Sequence, residues 1–123
     1  MTSTNDFKII FDRLKENFNK YDKELNVLKD EKENYSLEGF FSERFKKNLW
    51  FGGVEVKKNY VSYHLMPIYM YKDIVKNIPK NLKKHMRGKS CFNFKSYDES
   101  LFAEMEKFTD LCFREFKKRG DKI

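Results

Sequence analysis

Between Ser96 and Gly120 an apolar residue returns every three or four positions: Leu101, Phe102, Met105, Phe108, Cys112, Phe113 and Phe116. That spacing lines one side of an α-helix. Its ends are signed as well. Ser96 and Glu99 make a capping box, Asp98 adds negative charge to the first turn, and Lys117, Lys118 and Arg119 suit the C-terminal dipole before Gly120 stops the helix. A helix this apolar on one side has to lie on a second apolar surface, and core packing is the reason for such a stripe. Cys112 within it reads as a small buried hydrophobe.

A second stripe, Phe7, Ile10, Phe11, Leu14, Phe18 and Tyr21, predicts an N-terminal helix ending near Tyr21, with Ser3 and Thr4 as candidate N-caps. Periodicity alone would carry it on through Leu25 and Leu28. Leu25, Val27 and Lys29 also fit a strand, and Asp30–Asn34 reads as a polar turn before Tyr35, Ser36 and Leu37, so an extended hairpin is preferred there.

Leu49–Val56 and Asn59–Met66 are rich in aromatic and β-branched residues and read as a β-hairpin turning at Lys57, Lys58 and Asn59. Pro67 ends the second strand. Two short helical pieces follow. The second runs from Pro79 to a C-terminal Gly88, with Leu82, His85 and Met86 as its buried edge. Ser90–Lys95 is another strand, with Phe92 and Phe94 on one face and Cys91, Asn93 and Lys95 on the other. The predicted fold class is α+β: an antiparallel sheet with the N- and C-terminal helices packed on one face. The 123 residues fit a single domain spanning 1–123.

Alternation divides the hairpin into two faces. Val54, Val56, Val61, Tyr63 and Leu65 read as core; Phe51, Gly53, Glu55, Tyr60, Ser62 and His64 fall on the other side, where Cys91 and Asn93 join them. Gly52 and Gly53 suggest a dent beside this polar patch. The basic segment Lys80, Lys83, Lys84, Arg87 and Lys89 lies nearby in sequence. The candidate ligand-binding residues are therefore Tyr60, Ser62, His64, Lys84, Arg87, Lys89, Cys91 and Asn93, and the ligand is a small anionic or polar molecule.

The 26 Lys and Arg against 19 Asp and Glu leave a net charge of +7, which favours anionic partners. A nucleic-acid-associated protein is the alternative, with Lys80–Lys89 on phosphates and Tyr69 or Tyr71 stacking on bases. It is not favoured, because a basic surface is ordinarily just a solvated one. The stretch Met66–Tyr71 reads as core in preference to an exposed sticky surface. The Cys91 thiol beside Lys89 has neither a positioned base nor an orienting third group apparent in the sequence, so an enzyme is not favoured. His64 and Cys91 on adjacent strands would supply two metal ligands with no third in view. A phosphate-binding glycine loop, H-E-x-x-H and G-x-S-x-G are all absent, and no metal or cofactor is expected. Two cysteines outside any close-spaced pair, together with the polar Met1–Asp6, point to reduced thiols in the cytoplasm. Leu49–Val54, the longest run of apolar residues and glycine, is far short of the ~20 residues of a membrane span, so no membrane partner is expected.

Two long motifs, LWFGGVEVKKNYVSYHLMPIYMY (Leu49–Tyr71) and LKKHMRGKSCFNFKSYDESLFAEM (Leu82–Met105), resemble the bacterial YdhG-like family of domains of unknown function; Tyr35–Phe41 matches more weakly. The resemblance covers roughly the last two-thirds of the chain. It implies an α+β domain and carries no established activity. Its matching positions are Tyr60, Ser62, His64, Lys89, Ser90, Cys91 and Asn93. Some members bear an iron-chaperone label by similarity to frataxin. Iron prefers clustered carboxylates, whereas here Asp6, Asp12 and Glu16 are interleaved with Lys8, Arg13, Lys15 and Lys20.

Overall fold

The computed structural model describes residues 4–122. Helix α1 (Thr4–Asn19) opens the chain and a run of turns carries it to Leu25. The expected N-caps lie outside the described residues, Ser3 entirely and Thr4 in its side chain. Strands β1 (Asn26–Glu31), β2 (Asn34–Ser42), β3 (Lys47–Val56) and β4 (Val61–Leu65) then follow. The polar turn after β1 is shorter than expected, confined to Lys32 and Glu33, because β1 and β2 pair as far as Glu31 and Asn34. Next come α2 (Met66–Met70), a 3₁₀ turn (Lys72–Asn77), α3 (Lys80–Lys83), β5 (Met86–Arg87), β6 (Cys91–Phe94) and α4 (Glu99–Arg119). The six strands form one sheet in the order β1-β2-β3-β4-β6-β5, with every neighbouring pair antiparallel.

Helices α1 and α4 pack against each other and against one face of the sheet, as the two stripes require. Phe18 stacks on Tyr63 with ring centroids 4.7 Å apart, and Phe51 lies among Phe18, Tyr21, Phe113 and Phe116. The polar end of Tyr63 is satisfied by Thr109, 2.6 Å away, whose hydroxyl donates on to the Met105 carbonyl. Along the seam between the helices, Arg13 grips Glu99 at 2.9 Å and Glu106 at 3.2 Å, and Lys20 bridges Glu106 and Asp110.

Four expectations are corrected, each for a physical reason. Phe51 is fully buried in the core instead of lying on the polar face. The β2–β3 register passes from Leu37↔Gly52 to Glu38↔Trp50, so β3 carries one extra residue at Phe51. Such a bulge reverses the alternation on either side of it. Leu49 and Phe51 point to the helices before it, Val54 after it, and Trp50 takes the opposite face.

The dent expected at Gly52 and Gly53 is not empty space. A Cβ on Gly52 would collide with the His64 carbonyl oxygen, and one on Gly53 would come within 2.8 Å of both the Tyr35 carbonyl oxygen and the Ser36 side chain. These glycines allow neighbouring strands to approach closely at the bulge.

Helix α4 is capped by Asp98, whose carboxylate accepts from the Leu101 N–H at 3.1 Å, in place of the Ser96–Glu99 box. Glu99 is drawn away to Arg13 and the Tyr97 hydroxyl. Finally, the helix expected from Pro79 to Gly88 is only Lys80–Lys83. The chain leaves it to form β5, which pairs with β6. Gly88, at φ 77°, belongs to the turn of that hairpin.

Candidate functional site

Strands β4 and β6 run side by side with Ser62 opposite Asn93 and His64 opposite Cys91. On β4 the residues Val61, Tyr63 and Leu65 fill the core, so Ser62 and His64 emerge on the face turned away from α1 and α4. On β6 Phe92 and Phe94 do the same for Cys91 and Asn93. Across β5, Arg87 pairs with Cys91 and extends the face by one strand.

A pocket of about 580 Å³ opens here. Six of the eight candidate residues line it: Tyr60, Ser62, His64, Arg87, Cys91 and Asn93. The other two stand outside. Lys84 follows the last turn of α3 and is exposed, whereas Lys89 lines a neighbouring, more apolar pocket of about 910 Å³ with its ammonium over the Tyr69 ring. Lys29 and Lys57 add two cations to the first pocket and Glu55 one carboxylate. Lys57 and Glu55 neutralise each other at 2.9 Å. Arg87 and Lys29 have no carboxylate partner among the described residues, and the Arg87 guanidinium makes one bond to the Met86 carbonyl. The pocket therefore carries uncompensated positive charge.

At its floor lies a chain of side-chain contacts. Cys91 Sγ is 3.1 Å from His64 Nδ1, and His64 Nε2 is 2.6 Å from Ser90 Oγ. Ser62 Oγ approaches the same sulfur at 3.7 Å. Trp50 leans over the imidazole with ring centroids 4.7 Å apart. Burial pushes the His64 pKa below its ordinary value, because the charged imidazolium loses hydration. The ring is therefore neutral at pH ~7. In the tautomer whose Nδ1 accepts from the thiol, Nε2–H donates to Ser90; in the other, Nδ1–H points at the sulfur and the Ser90 hydroxyl donates to Nε2.

Four participants were missed by sequence reading. Lys29 read only as part of a strand. Trp50 was hidden by the bulge, which no alternation pattern reveals. Lys57 was assigned only to the turn. Ser90, a position shared in the resemblance, reaches the imidazole because the β5–β6 turn places it immediately before Cys91. An imidazole and, beyond it, a hydroxyl stand next to the Cys91 thiol, contacts that the sequence did not show.

Both cysteines are free thiols; Cys112 is fully buried, and burial pushes its pKa up. Tyr71 is buried too, its hydroxyl donating to the Gly120 carbonyl, so it offers no ring for base stacking, while Tyr69 is exposed. Among the described residues no three His, Cys, Asp or Glu side chains converge as metal ligands, and no helix is long and apolar enough to cross a membrane. No family model, no curated protein and no solved structure matches the chain. Fold and site together define an α+β protein with a pocket on the sheet face turned away from α1 and α4.

Proposed function

We propose that the pocket on the uncovered sheet face binds a small anionic ligand. The observation that carries this reading is the gathering of six candidate residues around one pocket whose Arg87 and Lys29 lack carboxylate partners among the described residues. Arg87 supplies charge-assisted hydrogen bonds, about twice as strong as neutral ones. Tyr60, Ser62 and Asn93 orient the ligand, and Trp50 gives it an apolar wall. Under the same reading the domain is a YdhG-like binding module of the bacterial cytoplasm, where reducing conditions keep Cys91 a free thiol. A thermal-shift screen of small carboxylates and phosphates tests it. At least one anion should raise the melting temperature of the wild type and not that of Arg87→Ala combined with Lys29→Ala. Equal responses of the two proteins, or no response from the wild type, sink the reading.

A further inference from the structure

Cys91 is more than an isolated thiol in a pocket. It faces an imidazole nitrogen at 3.1 Å, and the far nitrogen of that ring is held at 2.6 Å by the Ser90 hydroxyl. Nucleophile, base and orienting group stand in sequence, the arrangement by which thiols are activated on unrelated folds. Burial keeps the imidazole neutral at pH ~7. Cys91 is half-buried but opens into the pocket, whereas Cys112 is sealed in the α4 stripe.

The surroundings narrow the chemistry. Attack on a carbonyl needs hydrogen-bond donors aimed at a developing oxyanion, commonly backbone N–H groups. Here Cys91 is paired with His64 on one side and Arg87 on the other, so its own backbone lies within the two ladders and does not form such a hole. Attack on a disulfide needs no such hole, because charge passes along the line of sulfurs and leaves with the departing thiolate.

We infer that Cys91 and His64 form a thiol–disulfide exchange site whose substrate is a small disulfide bearing carboxylates, held by Arg87 and Lys29. This rests on the anion-binding reading for its substrate class, but not for the thiol chemistry. In the step, His64 Nδ1 takes the Sγ proton while Sγ attacks one substrate sulfur. A new S–S bond forms to Cys91 and the substrate S–S bond breaks. The leaving thiolate takes the proton from Nδ1. One disulfide replaces another with no net oxidation. Cys112 is not placed to release the adduct, so a second small thiol returns Cys91 to its free form by the reverse exchange. Ser90 is a positioning residue that keeps Nδ1 turned to the sulfur.

Glutathione disulfide is the probe, read by mass spectrometry of the whole protein and its peptides. Wild type should gain one glutathionyl group on Cys91, and Cys91→Ser none. His64→Gln, shown to be folded by circular dichroism, should react at least about tenfold more slowly, the low end of what a positioned base contributes being larger still. Should that variant not fold, the Cys91 rate of native wild type is compared with that of the urea-unfolded chain and should be faster. Ser90→Ala should slow the reaction and Ser90→Thr, which keeps the hydroxyl, restore it; an unchanged Ser90→Ala rate removes the positioning role. Wild-type rates in His64→Gln, no advantage over the unfolded chain, or modification of Cys112 in the folded protein overturn the exchange site. S-methylglutathione, which has no disulfide, separates the two readings. If it stabilises wild type but not the Arg87→Ala, Lys29→Ala protein while the disulfide gives no adduct, binding stands and the thiol chemistry falls. If the adduct forms equally fast without Arg87 and Lys29, the thiol chemistry stands and the carboxylate-bearing substrate class falls.

Discussion

Trp50 lies against His64 across the β3–β4 pair, the two rings tilted by 57° with centroids 4.7 Å apart. The indole shields an imidazole that already has Ser90 and Cys91 on its two nitrogens, so a charge on the ring would be poorly hydrated. The folded-state pKa is accordingly below the unfolded value of about 6.5. Protonation then favours the unfolded chain. The contribution of neutral His64 is complete above pH ~6.5 and is lost as pH falls from there through the lower folded-state value. Between about pH 7.5 and pH 5.5 the urea midpoint of wild type should fall more steeply than that of His64→Gln. Parallel profiles would show that the ring is not desolvated in this way.

The bulge in β3 separates two adjacent large aromatics energetically. Phe51 is fully buried among four other rings, whereas Trp50 is half-buried on the pocket face. Phe51→Ala should cost ~3–5 kcal/mol and Trp50→Ala less than about 2 kcal/mol, since only the first empties a closed core site. Chemical denaturation of the two variants checks this. The reverse order would mean that β3 alternates without a bulge.

At the start of α4 the Asp98 carboxylate satisfies a backbone N–H of the first turn. Asp98→Ala should destabilise the protein by ~1 kcal/mol, the usual cost of losing a cap. Ser96→Ala should stay within about 0.5 kcal/mol of wild type, as a surface substitution does. A larger loss from Ser96 would restore the capping box as the working arrangement.

These contrasts show where sequence was informative. Both helical stripes were readable because each residue of a helix face contributes to one repeating pattern, and a single exception does not erase it. The facing of Ser62, His64, Cys91 and Asn93 was readable because β4 and β6 are regular over their short lengths. What failed was whatever depends on pairing between distant segments. One extra residue at Phe51 exchanged the roles of Phe51 and Trp50, and that extra residue exists only relative to β2. The cap moved because Arg13, far away in sequence, competes for Glu99. The helix before Gly88 gave way to β5 because β6 was there to pair with it. The Cys91–His64–Ser90 contacts need all of these strands in register at once. The residues were therefore visible as neighbours on a face, while the order of their contacts was not.

Gly52 and Gly88 make the final contrast, because they are glycine for different reasons. At Gly88 the backbone has φ 77°, and a Cβ would meet nothing within 4 Å. The need there is conformational only, and asparagine enters the left-handed region more readily than other side chains do. Gly88→Asn should therefore stay within about 1 kcal/mol of wild type, with Gly88→Val distinctly worse because a β-branched residue resists positive φ. At Gly52 the backbone is ordinary and the obstruction is steric: the His64 carbonyl on one side and the Phe18 ring at 3.3 Å on the other. Gly52→Ala should cost at least ~1–3 kcal/mol, as overpacking against fixed backbone does. It should also disturb the pocket, because the carbonyl that has to move belongs to His64. Thiol reactivity of Cys91, followed beside the denaturation midpoint, reads both effects. An unchanged midpoint in Gly52→Ala would show that β3 and β4 are not so closely apposed at the bulge.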